Sequence, residues 1–164
     1  MPEAVVERQA DVERAWELME KVRFCMFSTW NGSKLRSRPM GAFVRRQEGA
    51  IYFFTDVRAH KDEEIRRYPQ VCLAFADTAG QKYVSVSGTA QISPDRAKLH
   101  ELWSIPAKVW WEGPDDPNVR LIKFIPEDAE YWDAPGNLMS NMKMVFALAA
   151  GRHPDAGDHQ KVTL

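Results

Sequence analysis

The stretch FCMFSTWNGSKLRSRPM, residues 24–40, decides the fold. Its first half is apolar and aromatic, as strands often are, and it ends at Asn31-Gly32. Asn-Gly between two strand-like runs marks a tight hairpin turn, because both residues tolerate positive φ. Pro39 in the returning strand has no N–H to donate, so we expect an edge or a bulge there. The stretch therefore predicts an antiparallel hairpin.

Outward from this hairpin, the chain continues as short strands separated by turns. The pattern predicts strands at residues 24–30, 35–44, 51–55, 71–76, 83–92, 119–125 and 129–132, the last two forming a pair. Capping residues and helical spacing predict helices at residues 11–22, 57–67, 94–103 and 138–150. Because strands do not alternate with long helices, the pattern argues against a doubly wound parallel sheet. We expect a mainly β (α+β) fold, an antiparallel barrel of about six or seven strands with peripheral helices.

Length and composition fit one globular domain. The 164 residues are 45% hydrophobic and 27% charged, and the net charge is −1. This balance gives no overall attraction to nucleic acid or to an anionic membrane, so any anion site must be local. We expect an N-terminal tail at residues 1–10, one domain at residues 11–151 and a polar, mobile tail at residues 152–164.

Three further features favour a cytoplasmic protein. Cys25 and Cys72 lie in apolar runs and are typical of reduced core thiols rather than of a disulfide framework. No apolar stretch approaches the length of a membrane span. The first residues are too acidic and polar for a signal peptide. We therefore expect neither a membrane nor nucleic acid among the partners.

The first candidate site is FFTDVRAHKDEEI, residues 53–65. A strand ends at Thr55, and a helix begins just after it, with His60 and Lys61 near its first turn. Free N–H groups at a helix start, a lysine and a threonine hydroxyl together suit a phosphate. The alternative is a capped surface helix whose Lys61 pairs with a nearby acid.

The second candidate is a basic strand. Period two places Lys34, Arg36, Arg38 and Met40 on one face. Three like charges on one face repel each other unless water or an anion surrounds them. The strand therefore faces either solvent or an anionic ligand, and Pro39 leaves backbone groups free for a ligand to dock.

Polar and aromatic side chains give two weaker candidates. Tyr83, Ser85 and Ser87 share one face of a strand, where they either face water or line a polar ligand. Four tryptophans accompany them: Trp103, Trp110, Trp111 and Trp132. Core or dimer-interface packing explains most of these, although a loop tryptophan also suits a lid over a flat ring.

Several signatures are missing from the sequence. It contains no GxGxxG, Walker A, HExxH, CxxC or GxSxG pattern. The remaining histidines have no partner at metal-ligand spacing. The sequence thus gives little support to a hydrolase, and we predict no metal site.

Taken in order, the segments resemble the pyridoxamine-phosphate-oxidase-like superfamily of FMN-binding split barrels. The similarity runs over about residues 10–151, and the general stress proteins of that superfamily are the most similar branch. The segments that carry it are FCMFSTWNGSKLRSRPM, IYFFTDVRAHK, YPQVCLAFAD, YVSVSGTAQIS and VWWEGPDDPNVRLIKFIPEDAEYWD. Their order and spacing carry the resemblance, since no single motif is diagnostic.

The resemblance implies which residues contact FMN. In relatives the strand that ends in threonine and the lysine that follows bind the phosphate and ribityl chain. Relatives often have Arg or Ser where this chain has His60, which is not a fixed charge. The implied contacts to the cofactor are Arg38, Pro39, Met40, Phe54, Thr55, His60, Lys61, Tyr83, Trp110 and Trp111. Of these, Tyr83 is implied at the edge of the flavin ring, and the two tryptophans are implied to reach the flavin of a partner protomer.

The resemblance also implies a homodimer that holds FMN in a groove between protomers. The expected activity is a flavin-dependent oxidoreductase with an unidentified small-molecule substrate, and no catalytic residue is identified. Pyridoxamine-phosphate oxidation itself is not expected, because the C-terminal region lacks the tryptophan and arginine pattern of that enzyme. The alternatives are a non-catalytic flavin store or redox sensor, and a split barrel that binds deazaflavin or haem.

Overall fold

The computed structural model describes residues 3–134, 149–151 and 158–164. Three α-helices lie in this part of the chain: α1 (Glu3–Val22), α2 (Lys61–Arg67) and α3 (Arg96–Leu102). The strands are β1 (Phe24–Trp30), β2 (Leu35–Gly41), β3 (Phe43–Arg45), β4 (Ala50–Asp56), β5 (Gln70–Asp77), β6 (Lys82–Ser93), β7 (Val119–Asp133) and β8 (Asp158–Thr163). Short 3₁₀ turns occur at Arg46–Glu48, Val57–Ala59 and Ile105–Val109.

The strands form one antiparallel sheet that curls into a split barrel. Their order is β2-β1-β5-β6-β7-β4-β3, and β8 pairs with β7. β2 and β3 lie at opposite ends of this order, yet only Ala42 separates them along the chain. The sheet must therefore curl until its two ends meet at Ala42. The predicted fold class is confirmed.

The first hairpin forms as its sequence predicts. β1 and β2 pair from Phe24↔Gly41 to Trp30↔Leu35. In the turn, the Asn31 side chain accepts hydrogen bonds from the backbone N–H of Ser33 at 3.0 Å and of Lys34 at 2.9 Å. Gly32 has a φ of 94°, a conformation that side chains rarely adopt.

β7 is one long strand, whereas the sequence predicted a pair of strands at 119–125 and 129–132. Pro126 interrupts the apolar pattern, but the ladder continues past it because its register with β6 shifts between Ser87 and Gly88. A Cβ on Gly88 would lie 2.2 Å from the carbonyl oxygen of Ile125. Glycine thus permits the close approach of β6 and β7 at this bulge.

The core has two parts, on the two sides of β4. Inside the barrel, the large buried side chains are Phe27, Phe53, Phe75, Phe124 and Tyr131. α1 closes this core with Ala15, Leu18 and Met19, none of which is exposed. The second cluster joins Tyr52 and Leu121 to Leu99 and Leu102 of α3. Burial of each such side chain contributes about 1.5–3 kcal/mol.

Both ends of the chain are more ordered than the sequence predicted. α1 begins at Glu3, within the segment we expected to be a tail. Residues 158–163 form β8, a strand in the segment where we expected a polar, mobile tail. Val162 is buried beside Ala129, which explains why this polar segment joins the sheet. The division into one domain and two tails remains a prediction.

Two further sequence predictions concern helices. The helix predicted at residues 138–150 lies mostly outside the described residues. Within the part of the chain that the structure describes, no helix is both long enough and apolar enough to cross a membrane.

Candidate functional site

β4 and α2 bring a threonine and a lysine together. Thr55 is the penultimate residue of β4 and is only 2% exposed. Lys61 is the first residue of α2, and its Nζ donates a hydrogen bond to Thr55 Oγ1 at 3.1 Å. The same Nζ lies 3.6 Å from Met40 Sδ on β2. Lys61 therefore joins Thr55, from its own candidate segment, to Met40, from the candidate strand β2.

The segment between Thr55 and Lys61 differs from the predicted helix 57–67. Asp56 caps a 3₁₀ turn, Val57–Ala59, by accepting a hydrogen bond from the N–H of Arg58 at 2.8 Å. His60 follows in the left-handed conformation, with a φ of 57°, and α2 begins only after it. This conformation interrupts the helix. His60 is exposed, and its side chain makes no capping hydrogen bond.

Arg38 lies next to this pair and is held by two residues that the sequence did not single out. Its Nη1 donates to Thr29 Oγ1 at 2.5 Å, and its Nη2 lies 3.4 Å from Glu64 Oε2. Thr29 Oγ1 in turn donates to the same Glu64 oxygen at 2.8 Å. We call Arg38, Thr55, Lys61, Thr29 and Glu64 the cation cluster.

Two features of the sequence could have identified Thr29 and Glu64 as members of the cation cluster. Thr29 is a polar residue at a position of β1 that alternation turns inward, with Cys25 and Phe27. It is only 1% exposed. Glu64 follows Lys61 by three positions, so the two lie on the same side of α2.

The electrostatics of the cation cluster favour an anionic ligand. Burial lowers the pKa of Lys61, and the charge of Arg38 lowers it further, while Glu64 and Asp56 act in the opposite direction. Two half-buried cations thus share a site in which Glu64 forms an ion pair with Arg38. A ligand that brings negative charge would stabilise both cations, and the Thr55 hydroxyl adds a further polar contact.

Phe54 does not belong to the cation cluster. It points to the opposite side of β4 from Thr55 and packs in the second core cluster. Its ring centroid lies 5.0 Å from that of Phe43, 5.7 Å from Trp103 and 6.3 Å from Trp111. Its local role is packing within the chain.

The two adjacent tryptophans have different environments. Trp111 is half-buried, and its Nε1 donates to Asp56 Oδ2 at 3.1 Å. The pKa of Asp56 is held well below its usual range, first by hydrogen bonds from Arg58. Trp110 is 73% exposed. Trp111 therefore anchors the loop, whereas Trp110 is available to another molecule.

Tyr83 and Pro39 lie on the outside of the sheet. Tyr83 pairs with Ala76 and Trp132, and its neighbour Val84 points into the core. Pro39 lies opposite Met26, whereas Arg38 lies opposite the buried Phe27. We call this side of the sheet the outer face; it exposes the apolar side chains of Phe24, Met26, Trp30, Leu35, Tyr83 and Trp132. One chain alone does not bring Tyr83 or Pro39 to the cation cluster.

Comparison with known proteins finds a family model that matches most of this chain. The model of the family described as "Pyridoxamine 5'-phosphate oxidase like" matches residues 10–155. General stress protein 26 of Bacillus subtilis is 29% identical over 131 residues, which cover 77% of this chain and 91% of that protein.

Two solved structures extend the comparison. A candidate general stress protein 26 from Jannaschia sp. CCS1 superposes with a TM-score of 0.80 at 27% identity, covering 96% of this chain and 99% of that one. The general stress FMN/FAD binding protein of Xanthomonas citri has a TM-score of 0.66 at 26% identity, covering 74% of this chain and 87% of that one. Both share the split-barrel fold with this chain.

Proposed function

Because the chain belongs to the pyridoxamine 5'-phosphate oxidase-like family, we propose that its cation cluster binds the phosphate of FMN. The observation that carries this proposal is the convergence of Arg38, Thr55 and Lys61 from three separate elements. A related protein of the same fold is described as an FMN/FAD binding protein, which supports the same ligand.

The donors of the cation cluster suit a phosphate monoester. Such a group carries close to two negative charges at neutral pH and offers three acceptor oxygens. Arg38 has N–H groups beyond those directed at Thr29 and Glu64, and the ammonium of Lys61 has three hydrogens. Because both side chains are half-buried, their contacts with phosphate are screened less than contacts at the surface.

We infer that a second copy of the chain covers the outer face. Isolated exposed apolar residues are ordinary, but here six large ones share one side of one sheet. The site is also incomplete within one chain, because Tyr83 lies on the outer face and Trp110 extends from an exposed loop. A homodimer would cover the apolar side chains and supply these aromatic rings to a flavin bound between the protomers.

The protein is thus proposed to be an FMN-dependent oxidoreductase with a small-molecule substrate. Bound FMN would supply hydride or single-electron transfer. The chain's own residues would bind the phosphate through Arg38 and Lys61, orient the ribityl chain near Thr55, and shield the ring with Trp110. Pro39 and Met40 of β2, with His60, would lie along the cofactor.

The cofactor is tested by the purified protein itself. We expect a flavin absorption spectrum, release of FMN identified by mass spectrometry, and tighter binding of FMN than of riboflavin in titrations of the flavin-free protein. Riboflavin is the matched ligand, because it lacks only the phosphate. A protein that binds neither flavin, or that binds deazaflavin or haem instead, would refute the proposal.

Turnover is tested separately from binding. Anaerobic mixing with NADH or NADPH should bleach the flavin spectrum, and admission of oxygen or another acceptor should restore it. If FMN binds tightly but no donor reduces it, the protein is a flavin store or redox sensor rather than an oxidoreductase.

A further inference from the structure

One acidic side chain is directed into the cation cluster. In α2, three successive acids follow Lys61: Asp62, Glu63 and Glu64. Asp62 Oδ2 lies 3.8 Å from Arg66 on the same helix, and Glu63 is exposed, with no ion pair to any described residue. Only Glu64 contacts the residues that we assign to the phosphate.

Glu64 occupies part of the hydrogen-bonding capacity of Arg38. Its Oε2 accepts from Thr29 Oγ1 at 2.8 Å and lies 3.4 Å from Arg38 Nη2, while Arg38 Nη1 donates to Thr29. These three groups form a closed ring of contacts. A phosphate that approaches the same edge of the guanidinium must therefore displace the carboxylate or use the remaining N–H groups.

Glu64 also changes the charge that a ligand meets. Arg38 and Lys61 each carry one positive charge, and the carboxylate of Glu64 cancels one of them. Its side chain is 22% exposed and that of Arg38 is 23% exposed, so the pair is partly shielded from solvent. A negative charge at this position repels an incoming dianion more strongly than it would at the surface.

From this geometry we propose that Glu64 is a built-in competitor for Arg38 that limits phosphate affinity and makes the bound flavin nucleotide exchangeable. This inference rests on the proposed function, because it concerns the same phosphate site. In this role Glu64 sets the affinity and the exchange of the nucleotide, and it is not a catalytic residue. As a consequence, bound FMN would exchange with free FMN in solution.

Glu64→Gln tests the proposal, because it keeps the shape and the acceptor oxygen while it removes the charge. We expect the dissociation constant for FMN to fall by roughly tenfold and the dissociation rate to fall with it. Riboflavin affinity should not change, because riboflavin carries no phosphate. Inorganic phosphate, used as a competitor of FMN, should also bind more tightly to the variant.

Two more variants serve as controls for this experiment. Glu63→Gln removes the same charge from the neighbouring exposed position and should leave FMN affinity within about twofold of the original. Glu64→Ala removes the charge without leaving an amide beside Arg38, and it should also tighten FMN binding. Thermal unfolding of the flavin-free variants establishes that each is folded.

The possible failures can be told apart. If the unmodified protein binds neither FMN nor inorganic phosphate, the proposed function fails and this inference fails with it. If the unmodified protein binds FMN but neither Glu64 variant binds it more tightly, only the competitor role is wrong. Weaker binding in both variants would show instead that Glu64 holds Arg38 in position.

Discussion

The cation cluster and the outer face differ in how complete they are within one chain. In the cation cluster, Arg38, Lys61 and Glu64 are half-buried and already hydrogen-bonded to Thr29 or Thr55. On the outer face, Tyr83 and Trp132 are each 38% exposed, and neither contacts the cluster.

This difference separates two requirements of the proposed site. Positive charge must be held in place before a phosphate arrives, because ordering long side chains at that moment costs entropy. An apolar surface needs only a partner of matching shape, and a second copy of the chain supplies one. The predictions below alter one region at a time and ask whether the other responds.

The largest effect should come from a charge on the outer face. Met26→Glu places a carboxylate among apolar side chains, where an unpaired buried charge costs about 3–5 kcal/mol. We expect the dimer dissociation constant to rise by at least about 100-fold and FMN affinity to fall in parallel. Sedimentation across a dilution series measures the first, and FMN titration measures the second.

The matched control for this charge is Ala97→Glu. Ala97 is exposed on α3, whose Leu99 and Leu102 pack in the second core cluster, and it is not among the apolar side chains that define the outer face. The control should leave both the dimer and FMN binding unchanged. A Met26→Glu protein that stays dimeric, or a monomer that retains full FMN affinity, would contradict the shared site.

The next largest effect should come from the cations. Arg38→Ala and Lys61→Ala should each weaken FMN binding by about 1.5–3 kcal/mol, the usual cost of a lost charge-assisted contact. Riboflavin binding should not change, because riboflavin lacks the phosphate. Dimerisation should not change, because neither side chain lies on the outer face. Titrations of both flavins and sedimentation of each variant measure this.

Lys21→Ala serves as the control for a lost lysine, since Lys21 is exposed at the end of α1. FMN titrations that are the same for all three variants would place the phosphate elsewhere on the protein. A parallel loss of riboflavin binding would instead indicate general damage to the site.

The two regions were not equally predictable from the sequence. The hairpin, the strands and the closeness of Thr55 to Lys61 follow from turn chemistry, capping and strand period, which are local properties. The contact of Lys61 with Met40 joins α2 to β2 and does not follow from either segment alone. Thr29 and Glu64 were missed because their role appears only when β1 and α2 pack together. That all of these residues bind a phosphate remains a prediction.

The lengths of β7 and β8 were also not predictable from local sequence, because they depend on pairing with other strands. The bulge opposite Gly88, which lets β7 continue past Pro126, depends on the partner strand and not on β7 alone. β8 joins the sheet through Val162 although its sequence is polar. Sequence pattern therefore predicted the fold class better than the number and length of its strands.

A smaller effect should separate the two tryptophans. Trp110→Ala should weaken FMN binding by roughly threefold to tenfold if the ring covers the partner's flavin. It should change the free energy of unfolding by less than about 0.5 kcal/mol, because Trp110 is 73% exposed. Trp111→Phe should leave FMN affinity unchanged. It should lower the free energy of unfolding by about 1 kcal/mol, because the hydrogen bond to Asp56 is lost.

Chemical denaturation and FMN titration of both variants test this separation. The two variants act as controls for each other, because they remove neighbouring indoles from the same loop. If Trp110→Ala leaves FMN affinity unchanged, the loop does not reach a flavin, and its exposure must be explained by another partner.

The smallest effect concerns pH and depends on Lys61. Because burial and Arg38 lower its pKa, the folded protein without flavin binds this proton less tightly than the unfolded chain does. Between the folded and unfolded pKa values the unfolded chain carries more protons, so the contribution of Lys61 to stability rises with pH across that window. A bound phosphate reverses this preference, since it favours the charged ammonium.

FMN affinity should therefore be highest below the pKa of Lys61 and should decline as pH rises through it, beginning at a lower pH than for an ordinary lysine. Lys61→Arg should abolish the decline, because a guanidinium stays charged throughout. Titrations of FMN and riboflavin from about pH 7 to about pH 10 measure both proteins over the range where a perturbed lysine titrates. Because riboflavin lacks the phosphate, its affinity reports any effect of pH on the ring site and the outer face. A decline of equal size in the Lys61→Arg protein would mean that another group controls the pH dependence of FMN affinity. That result would contradict a direct contact between Lys61 and the phosphate.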